Sequence, residues 1–399
     1  MASVSQSHDS EKLDFSENLL EKLPSELLLP IVKFTSDFAS VWISPAVYLL
    51  IDDFGKEIVE TILEASEPKQ IRVLFNHIVL LKLGIHPSTS LDDFKLHEVT
   101  SWTQFKEQSI HRELMLDPSF IAYSQTRKSM IYELLPNKIS PVVMHAILQD
   151  AYKIERLTHL CHKYFLNRCK TFEFFEPIEV KNNRYYHYFV HDVDPPSWIE
   201  LKRITRAFWY IQAFYELMIN SGKLQWPSSD LNSLRNMDIE MFIGDAQLYP
   251  TKNAALTVAI YLREAHEDFL DQPEKHLTSL SQLPDPVDAP VLFLPIEQRF
   301  EDPTSDLRRH IVSPLDDVRG IPGLFVPRVC LTQIKISPLR KQPPYQYFRR
   351  LGFAIWDRKR MFGFGLANED GQTEIIFNVR ELIFKYLSIL PPELAVERF

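Results

Sequence analysis

Apolar residues recur every three or four positions through most of the chain, which is the spacing of one face of a helix. The clearest series predicts a helix over 140–172, with core-facing positions at Val143, Ile147, Ala151, Ile154, Leu157, Cys161 and Phe165. Similar series predict helices over 68–83, 126–135 and 251–269. The stretch 374–390 is typical of a helix or of a strand leading into one. We therefore expect an all-α protein.

The best-marked helix start lies at Ser197 and Glu200. A serine followed three residues later by glutamate forms a capping box, in which each side chain bonds the backbone N–H of the other residue. The apolar series that follows runs to Met218, and the segment 86–99 is expected to be a polar loop.

The segment 23–34 predicts a short helix with an unusually rich apolar stripe. Pro24 suits the first helical position, and Glu26 suits the first turn, where the helix dipole favours negative charge. A stripe on one face is predicted from Leu23, Leu27, Leu28, Ile31 and Val32. Two further short helices are expected, one around 38–50, interrupted at Ser44-Pro45, and one over 53–63. The stripe must be covered either by the rest of the chain or by a partner.

Composition narrows the class of protein. Ten glycines in 399 residues disfavour nucleotide-binding α/β folds, which need glycine for tight turns and close backbone approach to phosphate. The 27 prolines suit helices joined by Pro-rich connectors, and the three cysteines argue against a disulfide framework. The polar, Ser-rich stretch 1–18 is expected to be disordered. With no apolar signal region and no membrane-length apolar run, the expected location is the cytoplasm or nucleus.

Charge is unevenly distributed along the second half. The Pro-rich connector 264–306 carries 11 acidic residues against two basic ones, and the segment 328–360 carries nine basic residues against one acidic one. The basic segment also contains Tyr345, Tyr347, Phe348, Phe353 and Trp356, a combination that can bind phosphates and stack on bases. The preferred interpretation is that the acidic connector and the basic segment compensate each other's charge, because the net charge of −9 disfavours binding to nucleic acid. Recognition of an acidic or phosphorylated substrate stays open.

Motifs for catalysis or metal binding are weak. His159, Cys161, His162 and Cys169 lie close in sequence, but their spacing matches no zinc site, and we expect no metal there. The Gly363-Phe364-Gly365 fragment lacks the third glycine of a dinucleotide site and is interpreted as a helix stop. We predict no catalytic residue, no cofactor and no enzymatic activity.

The run from Leu23 to Leu63 resembles an F-box, the three-helix motif of about 45 residues that docks receptors onto the Skp adaptor of a cullin-RING ubiquitin ligase. The likeness rests on Leu23-Pro24-Ser25-Glu26-Leu27-Leu28 and Ile31-Val32. Ser44-Pro45-Ala46-Val47-Tyr48, the Pro196-to-Glu200 helix start and the run Phe348 to Arg358 resemble a fungal group of F-box-like proteins. The chain departs from the usual motif at Pro30, inside the first helix, and in its second helix.

The resemblance implies an F-box-like domain over 19–66, packed with a larger α-helical domain over 67–399. It implies a non-catalytic receptor that holds an unknown protein substrate and contacts the adaptor through Leu23, Pro24, Leu27, Leu28, Ile31 and Val32. A stand-alone helical scaffold, whose first helix is simply core, is the alternative. A third possibility, an enzyme without recognisable motifs, would need a deep pocket that gathers residues distant in sequence.

Overall fold

The computed structural model describes residues 23–34, 45–95, 135–173, 195–244, 250–265, 344–367 and 385–391, with the single residues 280, 283, 323, 327 and 382. Across these residues the fold is mainly α-helical and contains no strand, which confirms the predicted class. Several predicted segments lie outside the described residues: the expected disordered lead 1–18, nearly all of the predicted helix 126–135, most of the acidic connector, and the basic residues before 344.

Ten α-helices of the described residues have defined bounds. In chain order they are α1 (Ser25–Phe34), α2 (Pro45–Ser66), α3 (Lys69–Leu83), α4 (Pro141–Thr171), α5 (Trp198–Asn220), α6 (Ser228–Arg235), α7 (Ile239–Ile243), α8 (Pro250–Ala265), α9 (Gln346–Arg349) and α10 (Arg358–Gly363). A single 3₁₀ turn, Ser221–Lys223, follows α5. None of these helices is both long enough and apolar enough to cross a membrane.

Helix α5 is the centre of the molecule. It packs against α3, α4 and α8, and most of its residues are buried on every side, including Phe208 and Ile211. A helix surrounded in this way must also bury its polar side chains, and α5 therefore carries several internal hydrogen-bond networks.

The longest predicted helices are confirmed together with their caps. Helix α4 begins after Ser140, whose hydroxyl accepts the Val143 N–H at 3.4 Å. Ser197 and Glu200 form the complete capping box of α5, at 3.3 and 3.1 Å. Helix α3 ends at Gly84, which has a positive φ of 68°. These ends agree with the sequence because each depends on contacts within one turn.

The N-terminal unit differs from the expected three short helices. The end of the second predicted helix and all of the third form one continuous helix, α2, with Gly55 in its interior. A Cβ on Gly55 would lie 2.8 Å from Cγ of Met144, so glycine allows α4 to approach closely there. This tertiary contact outweighs the helix-breaking tendency of glycine, which costs about 1 kcal/mol.

Pro24 differs from its expected role, whereas Pro30 lies inside α1 as expected. Pro24 lies one residue before the first helical residue, and its carbonyl accepts the N–H groups of Leu27 and Leu28, both at 3.0 Å. Pro30 stays within the helix, where its exposed ring leaves the Glu26 carbonyl without the usual backbone donor.

The segment 344–367 forms part of the core and is not an aromatic binding surface. Four of its five predicted stacking rings, those of Tyr345, Phe348, Phe353 and Trp356, are buried. They pack inward because α9, α10 and the turns between them cover the end of α4 and the beginning of α5. The Gly363-Phe364-Gly365 fragment ends α10, as predicted, with Gly365 at a φ of 69°.

Candidate functional site

The outer side of α1 presents apolar side chains that the described part of the chain leaves exposed. Leu27 is 56% exposed and Ile31, one turn later, is 43% exposed. Pro30 on the same helix and Pro24 just before it are also exposed. Because residues four apart lie above one another on a helix, Leu27 and Ile31 form a continuous apolar ridge.

The inner side of α1 belongs to the core. Leu28 and Val32 are each only 2% exposed, and α1 packs against α2. Leu23 is partly buried and packs on the same core. An ion pair between Lys33 and Glu57 fastens the end of α1 to the middle of α2.

The six residues predicted to contact a partner therefore divide into two groups. Successive residues of an α-helix are separated by about 100°, so the apolar stripe spans roughly half of the helix circumference. The core covers the side with Leu28 and Val32 and leaves the side with Leu27 and Ile31 open, with Pro24 beside them. One half of the predicted stripe is thus covered and the other half is open, and contact of the six residues with a partner stays a prediction.

Exposed apolar side chains are concentrated at this end of the molecule. Among the described residues, ten large hydrophobic side chains are exposed, and five of them lie between 27 and 54: Leu27, Ile31, Tyr48, Leu49 and Phe54. The Tyr48 ring stacks on the His145 imidazole at 3.8 Å, and His145 bonds Asp52 at 2.9 Å. This contact brings the start of α4, with its exposed Val142, beside α2.

The residues considered for zinc do not converge. Cys161 is fully buried, and burial raises the pKa of its thiol well above the ordinary value. Cys169 donates to the Leu351 carbonyl at 3.1 Å, whereas His162 bonds Glu200. No group of three or more potential metal ligands occurs within the part of the chain that the structure describes.

Glu200 is the centre of the most buried charged network. Its carboxylate receives Nε and Nη2 of Arg360 at 2.6 and 2.8 Å, and His162 lies at 3.2 Å. The backbone N–H groups of Ser197 and Asp357 also donate to it. Burial acts to raise the pKa of Glu200, but the bonds from His162 and Arg360 lower it to about 2.

Asp357 shows the opposite shift, because burial and the neighbouring Glu200 charge raise its pKa. Two carboxyl groups with diverging pKa values are a common sign of acid–base catalysis. Here, however, all acceptor positions of Glu200 are occupied by groups of the protein. The network therefore joins α5 to the segment 344–367 and leaves no position for a substrate.

A second buried network joins α3, α4 and α5. Lys82 bridges Asp150 at 3.0 Å and Glu216 at 2.5 Å, and Gln212 and Asn220 donate to Glu216. Burial acts to lower the pKa of Lys82, but the two carboxylates outweigh it and raise the pKa. The Lys82 ammonium group is therefore paired with two carboxylates inside the core.

A third network was missed by the sequence analysis, which assigned 86–99 to a polar loop. His86, Ser88, Leu91 and Phe94 are buried, and 91–95 is helical. His77 bonds His86 at 2.8 Å, and His86 bonds the Ser88 hydroxyl at 2.8 Å. The signal was His77, a polar residue on the apolar face formed by Leu74, Ile78 and Leu81.

A serine hydroxyl that bonds one histidine, which in turn bonds a second histidine, is an arrangement that nucleophilic catalysis can use. Ser88 is only 5% exposed, however, and the ring of Phe94 packs on both imidazoles. Trp226 donates its indole N–H to the Ser88 carbonyl at 2.8 Å. The chain of bonds is thus enclosed by aromatic side chains, and it connects α3 to the segment 86–95.

Within the residues that the structure describes, the ridge on α1 therefore has the strongest case for contact with a partner. Comparison of the chain with protein-family models, with curated proteins and with solved structures gives no match.

Proposed function

We propose that this protein is a non-catalytic receptor subunit of an SCF-type ubiquitin ligase and that it docks on the Skp adaptor through the outer side of α1. The observation that carries the proposal is the exposed ridge of Leu27 and Ile31, on a helix whose sequence resembles the start of an F-box. The rest of the helical fold would hold a protein substrate. The proposal implies a cytoplasmic or nuclear location.

The split of the apolar stripe supports docking on physical grounds. Leu28 and Val32 hold α1 against α2, so the ridge is displayed on a helix already fixed in place. A preformed ridge loses little conformational entropy when a groove receives it. Full burial of a leucine-sized side chain contributes about 1.5–3 kcal/mol, so covering two half-exposed ones would contribute about 2 kcal/mol.

The test is a pull-down of the full chain with recombinant Skp adaptor. A Leu27→Asp/Ile31→Asp double variant should lose at least about 30-fold in adaptor affinity, because charge replaces the apolar contacts. Leu28 is left intact, since a charge at that buried position would disturb the fold.

Met241→Asp is the matched control. Met241 is 59% exposed and, like Leu27, is the third residue of its helix. This variant should bind the adaptor as the wild type does. Equal adaptor recovery by the double variant and the wild type would contradict the docking role of α1.

A stand-alone helical scaffold is the second candidate, and the burial of Leu28 and Val32 favours it. In that case α1 serves only the core, and the wild type recovers no adaptor. Circular dichroism of the double variant separates a folding defect from a binding defect.

A further inference from the structure

The buried bonds among His77, His86 and Ser88 allow the hydrogens on both rings to be assigned. The Ser88 backbone N–H lies 3.3 Å from Nδ1 of His86 and can only donate, so this Nδ1 carries no hydrogen. The hydrogen of neutral His86 is then on Nε2 and is donated to Nδ1 of His77 at 2.8 Å. The Ser88 hydroxyl also lies 2.8 Å from Nδ1 of His86.

This arrangement has no place for an extra proton. If His77 gains a proton, its Nδ1 becomes a donor and faces the N–H of His86. If His86 gains one, its Nδ1 becomes a donor and faces the backbone N–H of Ser88. Either way at least one of the bonds must break, in a site where each of the three residues is at most 6% exposed.

We propose that His77, His86 and Ser88 form an acid-sensitive latch that holds the segment 86–95 against α3 at neutral pH and releases it on protonation. In the released form the exposed imidazoles titrate near pH 6.5, as free histidine does, so pH below this value shifts the equilibrium from the closed to the released form. Release would uncover the apolar side chains of Leu91 and Phe94, which are buried in the closed form.

Other charged groups of the packed segments modulate the latch. Asp93 bonds Thr89, Asp230 of α6 accepts the Leu91 N–H at 3.0 Å, and Lys95 lies over the Phe242 ring of α7. On α3 itself, Lys82 is paired with Asp150 and Glu216. Nearby carboxylates favour the protonated imidazole and nearby ammonium groups disfavour it. Carboxyl and ammonium groups ordinarily titrate outside the range from pH 7.5 to 5.5.

Hydrogen exchange of the full chain tests the latch. Exchange is measured by mass spectrometry at pH 7.5 and pH 5.5, and the rates are corrected for the intrinsic pH dependence of amide exchange. Peptides covering 84–95 should exchange about tenfold faster at pH 5.5, which is the effect of one imidazole titrating at 6.5. Peptides of α5 should change equally in the wild type and in the His77→Gln/His86→Gln variant described below, because the release is local. Unchanged protection of 84–95 in the wild type would overturn the proposal.

A His77→Gln/His86→Gln double variant removes both titrating rings and should abolish the pH dependence of 84–95. His145→Gln is the control, because that imidazole lies near the surface beside Asp52, and it should behave as the wild type. Acceleration as large in the double variant as in the wild type would refute the latch. Should the double variant fail to fold, ¹⁵N histidine spectra of the wild type decide: a hydrogen on Nδ1 of His86 at pH 7.5 would refute the latch.

Discussion

Gly352 occupies a position that no other residue fits without strain. Its φ is 73°, a conformation that side chains with a Cβ rarely adopt. A Cβ there would lie 2.9 Å from Cβ of Phe165 and 3.1 Å from Cε2 of Trp356. The turn between α9 and α10 depends on this one residue to reach the end of α4.

Replacing Gly352 with alanine should lower the free energy of unfolding by about 2–4 kcal/mol, through left-handed strain and overpacking together. Gly222→Ala is the matched control, because a Cβ there would meet no atom within 4 Å, and a change within about 0.5 kcal/mol is expected. Urea unfolding of the two variants measures the difference. Equal stability of both would show that the turn can adapt to a Cβ.

At the scale of one element, α1 combines an exposed apolar ridge with a proline in the interior of the helix. Pro30 removes a backbone donor from the middle of a ten-residue helix. The helix keeps its shape through the burial of Leu28 and Val32 and through the Lys33–Glu57 ion pair. Its stability therefore comes from α2 more than from its own hydrogen bonds.

Pro30→Ala should strengthen α1, because alanine restores the bond to the Glu26 carbonyl and removes a cost of up to about 3 kcal/mol. Slower hydrogen exchange of the α1 amides, compared with the wild type, measures the gain. Pro141→Ala is the control, since Pro141 is the first residue of α4 and removes no intrahelical bond there. A gain of the same size in both variants would mean that the interior position of Pro30 has no special cost.

At the scale of the whole molecule, stability should decrease as the pH falls from about 6.5 to about 4. Burial, followed by the charges of His162 and Lys202, lowers the pKa of His159 to about 4. The unfolded chain, with histidine near 6.5, binds the proton more strongly, so acid favours unfolding in this window. The loss through His159 amounts to as much as about 3 kcal/mol.

Urea midpoints measured between pH 7 and pH 4 test this dependence, and His159→Gln should make the decrease shallower. Glu200 acts in a separate range, because its pKa of about 2 preserves stability above pH 4.5 that is lost as the pH falls further. Parallel curves for the wild type and the variant would show that other groups cause the decrease.

Sequence patterns predicted those parts of the fold that depend on neighbours along the chain. The apolar series and caps of α3, α4 and α5 are local, so their positions followed directly. Which half of the α1 stripe faces outward depends on where α2 packs, and no local pattern contains that information. The contact between His77 and His86 was not predicted, because it forms only when the chain reverses at Gly84 and brings His86 back to His77.

The bond between Glu200 and Arg360 joins residues 160 positions apart, and this separation has a consequence for synthesis of the protein. At about 5–20 residues per second, a ribosome needs on the order of 10–30 seconds to make the intervening chain. During that interval the Glu200 carboxylate of α5 lacks its ion-pair partner, because the Arg360 guanidinium has not yet been synthesised. Burying this carboxylate therefore costs more free energy than it does in the complete chain. We therefore expect the central helix to complete its packing late, with chaperones protecting its apolar sides until Arg360 emerges.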